Sequence, residues 1–255
     1  MTRRRFYADR GAFLLGRGMV TLSDEESRHL RDVLRLRVGD GATVFDGEGH
    51  EFACVVRETG GRKAGAVLEV GGPVEPPSPE PPVFILLAVS LLKGEKFDLV
   101  VQKATELGAG KIKPLVTKRS DVRLRDARDA ERRVERWRRL AIEASKQSGR
   151  ATVPSVTQPF EFETFVTADE RMDFLKLLFA ERGGAGLDAP HARPESRPTD
   201  IAAVVGPEGG WDDDEIEQAR THGWTIVTLG GRTLRAETAA ITVCALLQHT
   251  FGDLR

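Results

Sequence analysis

The chain has 255 residues, of which 40% are hydrophobic and 30% charged, and its formal net charge at pH 7 is −1. This length suits a small domain followed by a medium one, each large enough to bury a core. No apolar run approaches the roughly 20 residues that a membrane-spanning helix needs. No apolar stretch of the signal-peptide kind follows the basic N-terminus. We therefore expect a cytoplasmic protein without a membrane segment.

Cysteine and histidine are too scattered to predict a metal site. Cys54 and Cys244 lie far apart and form no Cys-x-x-Cys pair, and the five histidines show no metal-ligand spacing. Both cysteines are predicted to be small, buried, apolar residues. No metal cofactor is expected.

The charge is unevenly distributed along the chain. Residues 111–150 contain 14 Lys and Arg against 6 Asp and Glu, whereas residues 200–217 contain 7 acidic residues and no basic one. A locally basic surface can bind phosphates even on a neutral protein. A solvated helix face with ion pairs along it would have the same composition. For the basic stretch alone, both interpretations stay open.

Residues 1–72 are predicted to form a small, mostly β domain. Strand-like runs occur at 42–45, 52–56 and 66–70, and the first two are separated by a glycine-containing turn. A helix interrupts them, because Ser23 and Glu26 have the spacing of a capping box and apolar residues follow at helical spacing.

Six prolines fall among the twelve residues from Gly71 to Pro82. Such a segment cannot form a helix or a central strand, and it is typical of a stiff linker. We therefore predict a linker at residues 73–82 and a second domain at residues 83–255.

The second domain alternates strands with helices. Strands are predicted at 83–89, 112–116, 174–179, 201–205 and 225–229. Helices are predicted at 97–107, 127–147 and 213–222 and from residue 238 onward. This alternation predicts an α/β fold with a parallel sheet covered on both faces.

Two glycine-rich loops, 206–210 and 230–235, follow predicted parallel strands at the edge where open α/β sheets bind ligands. Their backbone groups suit a planar adenine, and the helix after the first loop could also bind phosphate. Glu208 and the acidic residues 212–214 disfavour phosphate by repulsion. The partial motif at 183–186 lacks the third glycine of a dinucleotide site and is interpreted as a surface loop.

The segments VVGPEGGWDDDEI at 204–216 and LGGRTLRAETAA at 229–240 resemble the ribosomal RNA small subunit methyltransferase E family of the SPOUT superfamily. Shorter segments spread over the chain resemble the same family at the expected places. They are residues 4–7, 29–36, 93–96, 102–108 and 141–150. The family pattern has proline at Gly231 and a bulkier aliphatic residue at Thr233, so this chain departs from it there.

The resemblance implies a PUA-like, RNA-binding β-barrel at 1–72 and a SPOUT methyltransferase domain with a C-terminal trefoil knot at 83–255. The loops 206–211 and 229–237 and the final helix would form the knot. It further implies a homodimer with each cofactor site close to the dimer interface.

The activity implied by the resemblance is S-adenosylmethionine-dependent methylation of N3 of one uridine in the 16S rRNA of the small ribosomal subunit. The N3–H group must lose its proton before the nitrogen can attack, and a nearby positive charge would favour the anion. Arg235 is the candidate, with Arg5 and Lys93 as more distant ones. Glu237 is predicted either to accept a proton or to form a structural ion pair with Arg235.

The resemblance also implies two sets of binding residues. The cofactor set is Leu178, Val205, Gly206, Glu208, Gly209, Gly210, Leu229, Gly230, Leu234, Arg235, Thr238 and Ala239. Thr238 could instead cap the last helix. The RNA-binding set is Arg3, Arg4, Arg5, Arg35, Arg37, Lys93, Lys96, Lys103, Arg119 and Arg123.

Three other functions are weighed against this one. A non-catalytic RNA-binding or ribosome-assembly protein would bind no cofactor, and the intact glycine loops count against it. A related knotted methyltransferase could act on a different RNA. An enzyme of small adenine nucleotides is disfavoured by the basic stretch 111–150 and by the missing phosphate loop.

Overall fold

The computed structural model describes residues 4–14, 18–61, 64–168 and 173–254. The chain forms two compact units. Unit 1 consists of Met1–Glu80 and Ile142–Val153, and unit 2 of Pro81–Ala141 and Pro154–Arg255. The sequence prediction divides the chain at residues 73–82 and leaves 142–153 in the second domain, whereas the structure groups that segment with unit 1.

The secondary-structure elements alternate regularly only after residue 80. The strands are β1 (Arg5–Tyr7), β2 (Phe13–Leu14), β3 (Met19–Thr21), β4 (Gly41–Phe45), β5 (Glu51–Glu58), β6 (Val67–Val74), β7 (Phe84–Ser90), β8 (Lys111–Val116), β9 (Ser155–Val156), β10 (Phe160–Glu161), β11 (Leu175–Phe179), β12 (Asp200–Val205) and β13 (Thr225–Val227). The helices are α1 (Asp24–Arg28), α2 (Lys96–Glu106), α3 (Ala127–Ser148), α4 (Phe162–Thr167), α5 (Asp213–Thr221) and α6 (Ala236–Phe251).

Unit 1 is built on one six-stranded sheet in the order β1-β4-β5-β6-β3-β2. Only the pair β1 and β4 is parallel among its neighbouring strands. The three strands predicted in this region correspond to β4, β5 and β6 and are confirmed. Apolar side chains from these strands and from the α1 region form one core.

The predicted capping box at the start of α1 is only half present. The Ser23 hydroxyl accepts a hydrogen bond from the Glu26 backbone N–H at 3.2 Å. The Glu26 carboxylate does not close the box, because it accepts a hydrogen bond of 2.6 Å from Lys146 Nζ. A charged partner distant in the chain therefore outcompetes the local backbone donor.

Strand β6 runs into the predicted linker. Pro73 pairs with Phe52 of β5, although a proline lacks the N–H that a central strand needs. Of β6, only Val67 to Glu69 pair with β3, so the end of β6 that contains Pro73 has β5 alone as its neighbour among the described strands. Pro73 thus occupies a locally open edge, where proline is tolerated.

Arg5 was predicted to bind RNA, and the structure places its side chain in the interior of unit 1. Its side chain is 2% exposed and forms a bidentate pair with Glu51, which is equally buried. The remaining donors reach the carbonyls of Ser145 and Lys146 at the end of α3 and of Arg150. All five N–H groups of the guanidinium are thereby used, so none is free for a phosphate or a uracil.

Unit 2 has a seven-stranded sheet in which every observed pairing is parallel. The order is β10-β8-β7-β12-β11-β13, with β9 beside β8. Alternate residues of the strands point to opposite faces. One face packs on α4 and α5, and α6 contacts β7 and β12 and packs on α2. The predicted parallel α/β fold is confirmed, while the trefoil knot stays a prediction.

Both cysteines are buried, as predicted. Burial raises the pKa of the Cys54 thiol to about 11 and that of Cys244 to about 12. Both thiols are therefore neutral at physiological pH. None of the helices among the described residues has the length and apolar character to span a membrane.

Replacement of Arg5 tests how far unit 1 depends on its buried ion pair. Arg5→Met leaves the Glu51 carboxylate buried without its partner, so we expect a loss of about 3–5 kcal/mol in the free energy of unfolding. Urea denaturation measures it. Arg4→Met is the matched control, because the Arg4 side chain is 49% exposed and its pair with Asp40 is long, at 3.4 Å. Equal denaturation midpoints for the two variants would contradict the interpretation.

Candidate active site

A cavity of about 510 Å³ lies in unit 2 where its central strands end. Parallel strands bring their carboxyl ends to one edge of the sheet, so the segments that follow β11, β12 and β13 meet there. The first turns of α2 and α6 complete the wall. The lining residues are Lys96, Phe179, Ala180, Glu181, Val205, Gly206, Pro207, Glu208, Gly209, Gly210, Trp211, Thr228, Leu229, Gly230, Arg232, Thr233, Leu234, Arg235, Ala236 and Ala239.

The loop after β12 turns around a buried indole. Trp211 is 1% exposed and donates a hydrogen bond of 2.8 Å to the carbonyl of Phe179 at the end of β11. A Cβ at Gly206 would lie 2.8 Å from two atoms of this ring. Only glycine fits at position 206 without displacing Trp211, and the backbone of the loop is therefore exposed to the cavity.

Gly210 meets a different constraint. Its φ is +70°, a backbone conformation that residues other than glycine rarely adopt. A Cβ at this position would also lie 2.7 Å from Glu181 Oε1. Asp212 then caps α5 in a complete capping box with Glu215. The sequence between β12 and α5 thus folds locally into a bare-backbone loop followed by a firmly capped helix.

The second loop, between β13 and α6, starts earlier than predicted. Strand β13 ends at Val227, and the buried hydroxyl of Thr228 has no hydrogen-bond partner within the described ranges. Helix α6 begins at Ala236, with Arg235 as its N-cap and without a side-chain cap bond. Thr238 is therefore not the cap; it is an exposed residue of the first turn.

Ten of the twelve predicted cofactor residues line the cavity, and two do not. Leu178 is fully buried in the core against α4 and α5, because adjacent residues of a strand point to opposite faces. Thr238 is exposed outside the cavity lining. Its neighbour Phe179 lines the cavity in its place.

Ten lining residues lie outside the predicted cofactor set. Lys96 was predicted to bind RNA instead, and the other nine were not predicted for any binding role. They are Phe179, Ala180, Glu181, Pro207, Trp211, Thr228, Arg232, Thr233 and Ala236. The rule that located the two glycine loops also applies to the end of β11, so Ala180 and Glu181 could have been found from it. The partial glycine motif that follows β11, at 183–186, was interpreted as a surface loop, and for this reason the residues between it and the strand were not assigned to the cofactor site.

Glu208 belongs to the loop after β12 and lies beside the start of α2. Its carboxylate accepts a hydrogen bond of 3.0 Å from Lys96 Nζ and a longer one from the Lys93 backbone N–H. Burial opposes ionisation of Glu208, but these hydrogen bonds outweigh it and hold the pKa below its usual value. The carboxylate is therefore ionised at neutral pH.

The acidic residues at the start of α5 are paired with cations. Lys118 donates to Asp212 and Asp214, at 3.0 and 2.7 Å, and Arg182 pairs with Asp213. Hydrogen bonds from Lys118, and then from Arg119, lower the pKa of Asp212 against the opposing effect of burial. These pairs weaken the predicted repulsion of phosphate, which rested on unpaired carboxylates.

Arg235 and Glu237 do not form the ion pair considered from the sequence. Arg235 is exposed at the cavity, and none of the described residues pairs with its guanidinium. Glu237 instead lies 3.8 Å from Lys96 Nζ. The charge of Arg235 is thus available to a ligand.

The predicted RNA-binding residues fall into four groups. Arg3 lies outside the described residues, and Arg5 is buried. Arg4, Lys93, Lys96, Lys103 and Arg119 form ion pairs at the surface or at the cavity edge. Arg35, Arg37 and Arg123 are exposed and have no ion pair within the described part of the chain. These three keep the guanidinium fully available to phosphate.

Comparison with known families agrees with both units. Residues 79–248 match the family described as the RNA methyltransferase domain, and residues 22–69 match the RNA methyltransferase PUA domain. A parallel α/β domain with a ligand cavity at its strand ends and an attached PUA domain defines a class of RNA methyltransferases.

The relatives narrow this class. The ribosomal RNA small subunit methyltransferase E of Synechocystis sp. is 34% identical, over 89% of this chain and 71% of the relative. The one from Bacillus subtilis is 30% identical, over 92% and 91%. The chain belongs to the ribosomal RNA small subunit methyltransferase E family, which confirms the resemblance.

Solved structures support the same relationship. The family member from Neisseria gonorrhoeae, bound to S-adenosylmethionine, is 33% identical with a TM-score of 0.85, over 99% of this chain and all of that one. A methyltransferase from Legionella pneumophila in complex with the same cofactor is 33% identical with a TM-score of 0.86, over the full length of both chains.

A methyl group added at Gly206 tests the role of the buried indole. In Gly206→Ala the new Cβ collides with Trp211, so we expect a destabilisation of about 1–3 kcal/mol and a red-shifted tryptophan emission. Gly231→Ala is the matched control, since its Cβ would meet no atom within 4 Å. Thermal unfolding and fluorescence measure both. If Gly206→Ala behaves like Gly231→Ala, the indole does not shape the loop.

Proposed function

We propose that the protein methylates N3 of a specific uridine in the 16S rRNA of the small ribosomal subunit, with S-adenosylmethionine as the methyl donor. The observation that carries the proposal is the glycine-lined cavity at the carboxyl edge of the sheet, in a chain of this methyltransferase family. The trefoil knot and the homodimer implied by the resemblance are part of the proposal, as is a cytoplasmic location beside the ribosome.

The cavity fits this cofactor in size and chemistry. Its volume of about 510 Å³ lies in the usual range for small-molecule sites, about 300–1,000 Å³. The glycines at 206 and 210 leave backbone groups within reach of an adenine, and the unpartnered hydroxyl of Thr228 lies in the wall. When bound, the cofactor supplies an electrophilic methyl group on a sulfonium.

The chain must also favour the anionic form of the uracil. Arg235 is exposed at the cavity, and its guanidinium has no ion pair with a described residue. A charge that is already positioned costs no reorganisation during the reaction. We assign Arg235 the role of stabilising the N3 anion. Arg5 is removed from this role because its guanidinium is buried and fully hydrogen-bonded.

RNA recognition is assigned to both units separately. In unit 1, Arg35 and Arg37 are exposed and lie close together in sequence. In unit 2, Arg123 is exposed. Phosphate contacts of this kind dominate RNA affinity and weaken with salt.

A labelling experiment tests the function. The purified protein is incubated with tritiated S-adenosylmethionine and small ribosomal subunits that lack the modification, and the label is mapped. We expect label at N3 of one uridine. Cofactor binding with no label on this rRNA would favour a methyltransferase of another RNA. Absence of cofactor binding would favour a non-catalytic RNA-binding protein and contradict the proposal.

Arg235→Gln tests the assigned charge. Loss of one such stabilising group lowers kcat by about 100-fold, and Arg235→Lys should keep a larger share of the activity. The deficit of the Gln variant should shrink as pH rises, because N3 then ionises without help. Single-turnover rates across pH measure this. Arg220→Gln, an exposed arginine paired with Glu217 on α5, is the control. A deficit that is constant with pH would argue against stabilisation of an anion.

A further inference from the structure

Lys96 connects the two loops of the cavity. Its Nζ lies 3.0 Å from Glu208 Oε1 and 3.8 Å from Glu237 Oε2. Glu208 belongs to the loop after β12, whereas Glu237 lies in the first turn of α6, directly after the second loop. One ammonium at the start of α2 is therefore shared by two carboxylates from separate segments.

The two carboxylates that share Lys96 are largely buried, so they depend on its positive charge. The Glu237 side chain is 12% exposed, and its Oε2 has no hydrogen-bond partner within the described residues. The Glu208 side chain is 23% exposed and that of Lys96 is 33% exposed. A carboxylate removed from water is costly unless a positive charge lies nearby. Without Lys96, two such carboxylates would face each other uncompensated.

The three residues lie on segments that form the cavity wall, so a movement of their side chains would alter the wall. Helix α2 packs on α6, so Lys96 has a stable base. Glu208 and Lys96 both line the cavity, and Arg235, the N-cap of α6, lies two residues before Glu237. A shift of either carboxylate would therefore alter the separation of the loops that form the cavity wall.

We infer that Lys96 is a positioning residue of the cofactor site, which offsets the repulsion between the Glu208 and Glu237 carboxylates and thereby keeps the two glycine-rich loops at the separation that the cofactor needs. This role differs from the RNA contact predicted for Lys96 from the sequence, and it rests on the proposed function. Lys96 acts through the two carboxylates rather than on the reacting atoms.

Two other roles for Lys96 make different predictions. If Lys96 contacts the cofactor directly, its removal lowers the cofactor affinity whichever residue occupies position 237. A lysine that stabilises the uracil anion would lower kcat and leave cofactor affinity unchanged. Only the positioning role predicts that removal of a carboxylate compensates for removal of the lysine.

The test is a double-mutant cycle read by calorimetric binding of S-adenosylmethionine and by kcat and KM. Lys96→Met should raise the cofactor Kd and KM by about tenfold, with kcat at saturating cofactor within about twofold of wild type. Glu237→Gln alone should have little effect. Lys96→Met combined with Glu237→Gln should recover most of the affinity, and Lys96→Arg should retain it.

Lys118→Met is the matched control. Lys118 also bridges two carboxylates, Asp212 and Asp214, but these side chains are outside the cavity lining and Asp214 is 85% exposed. We expect the Lys118→Met variant to bind S-adenosylmethionine with the same Kd as wild type. Thermal unfolding verifies that every variant folds.

The outcomes separate this inference from the proposed function. If the wild type binds no cofactor, the proposed function fails. If the wild type binds and Lys96→Met binds equally well, the inference alone fails. A loss in Lys96→Met that Glu237→Gln does not relieve, a similar loss in Lys118→Met, or a fall in kcat without a change in Kd would each overturn it.

Discussion

The contact between Trp211 and Gly206 is the constraint on which the cavity depends. The indole is held at one end by the carbonyl of Phe179 and packs beside the ring of Phe162, with centroids 4.9 Å apart. Its position forbids a side chain at Gly206. The ring thus ties β11 to the loop after β12. A bulky core residue, and not a flexible loop, determines where the backbone faces a ligand.

The cavity wall contains both paired carboxylates and an arginine without an ion pair among the described residues. Carboxylates on one part of the wall are matched by nearby cations, as Glu208 is by Lys96, and the acidic start of α5 is likewise paired. Arg235 differs because no described residue neutralises it. The paired groups fix the shape of the site, and the unpaired guanidinium is left to act on a ligand. Structural and chemical roles are therefore carried by different residues of the same short segments.

Much of unit 2 could be predicted because its determinants are local. Buried parallel strands are continuous apolar runs, and glycine loops mark their ends, so the edge of the sheet that carries the cavity could be located. The ten lining residues came from the family resemblance at those loops. Leu178 lies in the core and not in the cavity wall, and a run that is apolar on both faces gives no indication of which side chain faces the cavity. The burial of Arg5 could not be predicted for a different reason. Its partners, Glu51 and the carbonyls near residue 150, are distant in sequence, and no local pattern distinguishes a buried arginine from an exposed one.

The discontinuity of unit 1 has a consequence for its biosynthesis. Residues 1–80 leave the ribosome long before Ile142–Val153, which complete the unit. Until then, the Arg5 guanidinium lacks the three carbonyls that satisfy it in the finished fold. The nascent N-terminal sheet is therefore an incomplete structure while more than a third of the following unit is being translated, and the hydrogen bonds from Arg5 to this segment form only after the chain has returned to it.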